Sequence, residues 1–166
     1  MLGKIVRSVR RNHALEHATI AVLMGRLGPD TRLVGRASPT GFYIYGDLPT
    51  DKIEESAQEG LARLQQGEAR LAVSPLCGTN LAVAGIMAGL ASLLSAGGSR
   101  SRWERMPTAL LASMLAVLAA QPVGRWLQKR LTTDPDLRDV EIVAVHSVAG
   151  GLGHYHKVET SRRAGA

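Results

Sequence analysis

The chain predicts an α+β fold: a small antiparallel sheet with two helices on one face, plus a two-helix transmembrane hairpin. Three observations lead there. Helical apolar periodicity marks two segments in the first half. Short runs rich in Phe, Tyr, Ile and Val, bounded by turn residues, occur on both sides of the chain's middle. Between them, residues 71–99 carry no charge, and residues 106–123 are again uncharged.

Residues 12–25 read as the first helix, with Asn12 as N-cap and Gly25 or Gly28 as the stop. Residues 31–36 and 41–46 read as two short strands. The Ser38-Pro39-Thr40-Gly41 sequence between them is a turn signal. A second helix starts at Pro49-Thr50-Asp51, where Asp51 and Glu54 have capping-box spacing. Its stripe of Ile53, Ala57, Leu61 and Leu64 suits packing on a sheet, and Gly67 ends it. Residues 70–74 read as a short strand leading to Cys77. Thr79 and Asn80 then suit the N-cap of the next helix.

Residues 81–98 and 106–123 are each about long enough to span a bilayer. Gly85-x-x-x-Gly89 would allow close helix approach, and Trp103 and Trp126 stand where interfacial Trp is common. The alternative is a buried helical hairpin in a soluble protein, but neither stretch shows a polar face. Arg125, Lys129 and Arg130 after the second stretch, with Arg63 and Arg70 before the first, outweigh the basic loop 99–105. They place both termini, and the globular part, on the cytoplasmic side of the inner membrane. Residues 140–148 alternate as a strand, 149–153 form a glycine-rich loop, and 154–160 return as a second strand. Residues 161–166 read as a basic tail. The division is therefore 1–80, an α+β region; 81–123, the membrane hairpin; and 124–166, a linker helix and a β-hairpin returning to the sheet.

The chemistry concentrates in His13-Ala14-Leu15-Glu16-His17. On a helix, residues i and i+4 share a face, so both imidazoles can reach one metal ion. Glu16 lies about 60° round the helix from His13 and about 100° from His17. That is beside the ion without ligating it, in the H-x-x-E-H order. Cys77 is the single cysteine. Two His and one Cys leave a fourth coordination position open, as catalytic rather than structural sites do. His154 and His156, at i and i+2 on one strand face, and Arg11, just before the histidines, are candidates for substrate contact or extra ligation. For the two strand histidines, simple exposure is the plainer expectation.

Composition narrows the partners. The chain carries 20 Lys+Arg against 14 Asp+Glu, a formal +6, which suits nucleic acid or an anionic membrane. Aromatics are only 4%, and the basic residues are dispersed, so a lipid bilayer is expected rather than nucleic acid. A single cysteine excludes internal disulfides and favours a reducing compartment. No apolar run follows the basic residues 4–11 before the histidines, so no cleavable signal peptide is expected. The glycines at 150–153 do not sit between a strand and a helix in the nucleotide-binding manner.

The motifs between His13 and Asn80 resemble the S-ribosylhomocysteine lyase (LuxS) family. They are His13-Ala14-Leu15-Glu16-His17, Ser38-Pro39, Gly41-Phe42-Tyr43, the helix 50–66 and Cys77-Gly78-Thr79. The resemblance implies that His13, His17 and Cys77 ligate one divalent ion, zinc or ferrous iron. It also implies that Glu16 is the general acid/base, and that a homodimer forms. The family's catalytic cysteine falls between its S-P and G-F-Y elements. Here Thr40 stands there, so lyase activity is not expected. The family's N-terminal strands have no counterpart before His13, and the hairpin 140–160 would take their place in the sheet. The RNHALEHAT and CGTN strings beside two spans resemble a family of small bacterial membrane proteins of unknown function. The H-x-x-E-H peptidases take a downstream Glu as third ligand. Here that window falls in the uncharged stretch, so a peptidase is less expected. The functional expectation is a membrane-anchored metalloenzyme on an unknown substrate. A non-catalytic metal-binding or assembly protein is the alternative, and a structural membrane protein without metal is a third.

Overall fold

The computed structural model describes residues 1–28, 31–95, 102–150 and 153–163. It comprises two compact units: residues 1–74 with 129–166, and residues 75–128.

The first unit is a four-stranded antiparallel sheet with two helices. Helix α1 is Leu2–Leu27, β1 is Val34–Ser38, β2 is Gly41–Tyr45 and α2 is Thr50–Gln65. A 3-10 turn follows at Ala69–Ala72, and the unit is completed by β3 (Val140–Gly150) and β4 (Gly153–Arg162). Strand order is β1-β2-β4-β3, so the C-terminal hairpin joins the sheet through β4 on β2. The turn at 39–40 sets the register Ser38↔Gly41 to Val34↔Tyr45, and alternation then sends Phe42 and Ile44 inward. Opposite them on β4 stand Val158 and His156. The core gathers Leu15 and Leu23 of α1, Ile53 of α2, Phe42, Ile44, Val158 and Leu137, all almost fully buried. Gly60 lets α2 press against the backbone of α1, since a Cβ there would stand 3.1 Å from the Ala18 carbonyl carbon and the Thr19 nitrogen.

Local expectations change in several places. Helix α1 begins at Leu2, so Asn12 lies mid-helix rather than at its N-cap. Its amide instead donates to the Ser38 carbonyl at 2.8 Å, and its oxygen accepts from the Thr160 hydroxyl at 2.7 Å. These bonds pin α1 to the ends of β1 and β4. The N-cap of α2 is Pro49, which has no side-chain donor or acceptor, so the Asp51–Glu54 capping box is absent. Asp51 sits within the first turn, where it opposes the positive end of the helix dipole. Residues 70–74 are not a strand. Glu68 is held by Arg63, and its carbonyl accepts from the Leu71 amide at 3.0 Å, winding the segment into a 3-10 turn. The glycine-rich loop is shorter than expected, because β3 runs to Gly150 and β4 starts at Gly153. Residues 151–152 and the tail end 164–166 lie outside the described residues, while Ser161 and Arg162 belong to β4.

The second unit is a helical hairpin of α3 (Gly78–Ser95) and α4 (Arg102–Leu127), packed on each other. Both are long and apolar enough to cross a membrane. Asn80 is buried rather than capping α3: it donates to the Pro75 carbonyl at 2.9 Å and accepts from Gln128 at 2.9 Å. Gly85 and Gly89 have open space where side chains would stand, so they do not mediate the helix contact. The close approach is at Gly124, where a Cβ would overlap the Asn80 side chain. Leu81, Leu93, Leu94 and Leu118 are at least 70% exposed, an apolar exterior. A single turn of π-helix, Gln128–Thr132, follows α4. Of the expected basic loop 99–105, residues 99–101 lie outside the described residues.

Candidate metal centre

Helix α1 carries His13, Glu16 and His17 through the middle of the first unit. The His13 and His17 rings lie 4.3 Å apart, centroid to centroid, and are tilted 59° to each other. That is the one-turn spacing expected of i and i+4. Nδ1 of His13 is 2.9 Å from the Thr132 carbonyl, and Nδ1 of His17 is 2.9 Å from the Ala72 carbonyl. A carbonyl can only accept, so each Nδ1 bears the proton and donates. Each Nε2 is then the lone-pair nitrogen, the one a metal takes. Both rings are thus held in the same ligating tautomer by backbone supplied from elsewhere in the chain.

Cys77 stands just before α3, where the Thr79 amide donates to its sulfur at 3.5 Å. Such a position favours negative charge. In the sequence it follows a few residues after Ala72, whose carbonyl accepts from His17. His13, His17 and Cys77 offer one donor atom each and form a group that could hold a metal ion. The donor set fits a soft or borderline divalent ion with one further position left for water or substrate.

Glu16 is buried, with 5% of its surface exposed, beside the two histidines in sequence and on the same helix. Its carboxyl rests on the one residue of β1 that has no side chain: a Cβ on Gly35 would overlap Glu16 Oε1. Nothing in the motif points to Gly35, because the contact is set by how α1 lies across the sheet.

The remaining candidates are placed elsewhere. Arg11 is 3% exposed and turned to the 134–139 segment. It binds Asp139 at 2.8 Å, with Asp134 and Asp136 each 3.7 Å away. It clasps the C-terminal segment rather than facing the histidines. His154 is exposed. His156 is 2% exposed, against the expectation for a strand histidine, because its register opposite Ile44 turns it into the core. Burial there, reinforced by the neighbouring His154, pushes its pKa down. His156 lies two strands from Gly35 in the row Gly35–Ile44–His156, about 10 Å away at the usual strand spacing. Among the described residues, neither histidine joins the group of potential ligands.

Comparison with known proteins adds the following. A family model described as "Domain of unknown function (DUF6391)" matches residues 8–145, from within α1 into β3. An uncharacterized protein of Picosynechococcus sp. (strain ATCC 27264 / PCC 7002 / PR-6) is 31% identical over 139 residues, taking in 75% of this chain and 65% of that protein. The chain therefore spans a little under two-thirds of that relative's length. No solved structure matches the chain.

Proposed function

The chain belongs to the DUF6391 family, and on that footing we propose that it is a membrane-anchored metalloprotein. In this reading His13, His17 and Cys77 hold one divalent ion, zinc or ferrous iron, and Glu16 serves as general acid/base on a substrate yet to be identified. The observation that carries the proposal is the pair of Nδ1–H···O=C bonds. Two histidines one turn apart, both oriented and tautomerically set for Nε2 ligation, are the outer-shell arrangement of metal-binding imidazoles. The sequence resemblance to the S-ribosylhomocysteine lyases supports the same three ligands.

A bound ion supplies Lewis acidity and a more acidic coordinated water. The chain's own residues supply the rest. Thr132 and Ala72 orient the imidazoles. Gly35 leaves room for the Glu16 carboxyl, which can hold or release a proton near the open position. Membrane anchoring is supported by α3 and α4, whose outward Leu side chains suit lipid contact better than water. Anchoring in the inner membrane, with the first unit on the cytoplasmic side, follows from the distribution of Arg and Lys.

Metal analysis of the full chain beside His13→Ala, His17→Ala and Cys77→Ser tests the ligands. We expect about one ion per chain in the native protein and strong depletion in all three variants. Equal content in all four would sink the site. Glu16→Gln should keep its metal. If a substrate turned over by the native protein is then untouched by Glu16→Gln, the catalytic reading stands. Full turnover by that variant would remove Glu16 from the reaction, whereas a metal-loaded native chain that turns over nothing would leave the non-catalytic metal-binding alternative, which the absence of a second cysteine favours.

A further inference from the structure

The first turns of α1 extend beyond the core, and their two sides differ. At about 100° per residue, Leu2, Ile5, Val6 and Val9 fall within the same arc of about 100° as His13 and Glu16. Lys4, Arg7 and Arg11 fall on the opposite side. Leu2, Ile5 and Val6 are 77%, 48% and 48% exposed. On the basic side Lys4 and Arg7 are exposed as well, Arg7 with 52% of its side chain in water although it lies 3.6 Å from Asp134 and 3.7 Å from Asp136, while Arg11 is clasped as described. The foot of the helix therefore presents an aliphatic side as well as a basic one to its surroundings, and water does not select the first of these.

We infer that this stripe is a lipid-docking surface, on which the foot of α1 lies in the plane of the bilayer interface. A helix with a narrow aliphatic face and a Lys/Arg face is the form that interfacial helices take. Four aliphatic side chains also fall well short of the about 800 Å² per partner that a stable dimer buries, which disfavours a second copy as the occupant. Chain connectivity points the same way. Arg10 donates to the carbonyls of Arg130 at 3.1 Å and Thr133 at 3.0 Å, and Arg130 follows closely on Leu127, where α4 ends. If α4 crosses a bilayer and ends at Leu127, only a short length of chain separates that end from Arg130, to which the foot of α1 is bonded. The inference rests on the membrane reading above.

The test uses the full chain with Trp103→Phe and Trp126→Phe, carrying either Ile5→Trp or Lys4→Trp, in nanodiscs that contain brominated phosphatidylcholine and phosphatidylglycerol. Leu2→Trp provides a second probe of the apolar side should Ile5→Trp fail to fold. We expect blue-shifted emission and several-fold stronger quenching at Ile5 or Leu2 than at Lys4. Equal quenching on both sides, or none on the apolar side of a chain that floats with the discs, overturns the inference while leaving membrane anchoring intact. Shielding that disappears at one chain per disc assigns the stripe to a second copy and also overturns it. A chain that does not float with the discs at all removes the membrane reading itself, and this inference with it.

Discussion

Arg11 shows how a buried charge is tolerated here. Its guanidinium is almost out of water, yet Asp139 meets it at 2.8 Å, with Asp134 and Asp136 close by. The Arg11 hydrogen bond holds the Asp139 carboxyl below the usual carboxylate range. Asp136 is lowered too, chiefly by its hydrogen bond from Arg138. A carboxylate with a depressed folded pKa adds stability that is present above its unfolded value and is lost as pH falls through the folded one. Unfolding followed by circular dichroism should therefore show the native chain weakening as pH drops below about 4. Asp139→Asn should cost about 1.5–3 kcal/mol at pH 7, the worth of a hydrogen bond to a charged group. It should also flatten the acid dependence; an unchanged acid limb would show that the clasp does not hold the segment. Arg11 was visible in the sequence as a candidate beside the histidines. Its partners lie more than 120 residues away along the chain, and nothing local announces them.

Among the elements, α1 carries the most. One face of it makes core with α2 and the sheet, one holds the proposed metal ligands, and its first turns are exposed, with an aliphatic side and a basic one. The helix was legible from residues 12–25, but its true start at Leu2 was not, because a mid-helix Asn12 imitates a cap. The segment 70–74 misled in the opposite way, since a short apolar run can become a turn as readily as a strand. The apolar helices α3 and α4 were plain from composition, whereas their contact was not. A Gly-x-x-x-Gly spacing suggests a contact face, yet space is open at Gly85 and Gly89 and closed at Gly124. Gly85→Leu and Gly89→Leu should leave the hairpin intact. Gly124→Ala should displace Asn80, break its bond with Gln128 and destabilise by about 1–3 kcal/mol, as overpacking does. Thermal melts of the three variants in detergent decide it, and the idea fails if Gly124→Ala is the mildest.

For the whole molecule, the sheet is assembled from both ends of the chain, with the apolar hairpin inserted between them. Strand β4 pairs with β2 and also with β3, so strands separated by the hairpin share one core through Phe42, Ile44 and Val158. Two of the proposed ligands draw on the same arrangement. His13 is oriented by Thr132 and His17 by Ala72, so an ion that fixes both rings also favours the packing that brings those two segments to α1. Stripping the metal with a chelator should lower the melting temperature. A ligand present at 100 times its dissociation constant contributes about 2.7 kcal/mol, so the loss should be of that order. Adding back zinc or ferrous iron should restore it, and His17→Ala should respond to neither. A native chain whose melt ignores the chelator would count against the site.

Residue order alone decides which segments are helical or apolar, where the His13-x-x-Glu16-His17 face lies, and that a lone cysteine follows it. These are short-range properties, written in periodicity and spacing within a few turns. The tertiary structure alone decides the rest. It sets the tautomer of both imidazoles, the Gly35 hollow for Glu16, the aspartates around Arg11 and the inward turn of His156. Each of these depends on backbone or side chains brought from tens to more than a hundred residues away, and only the packed core fixes which of those partners arrive.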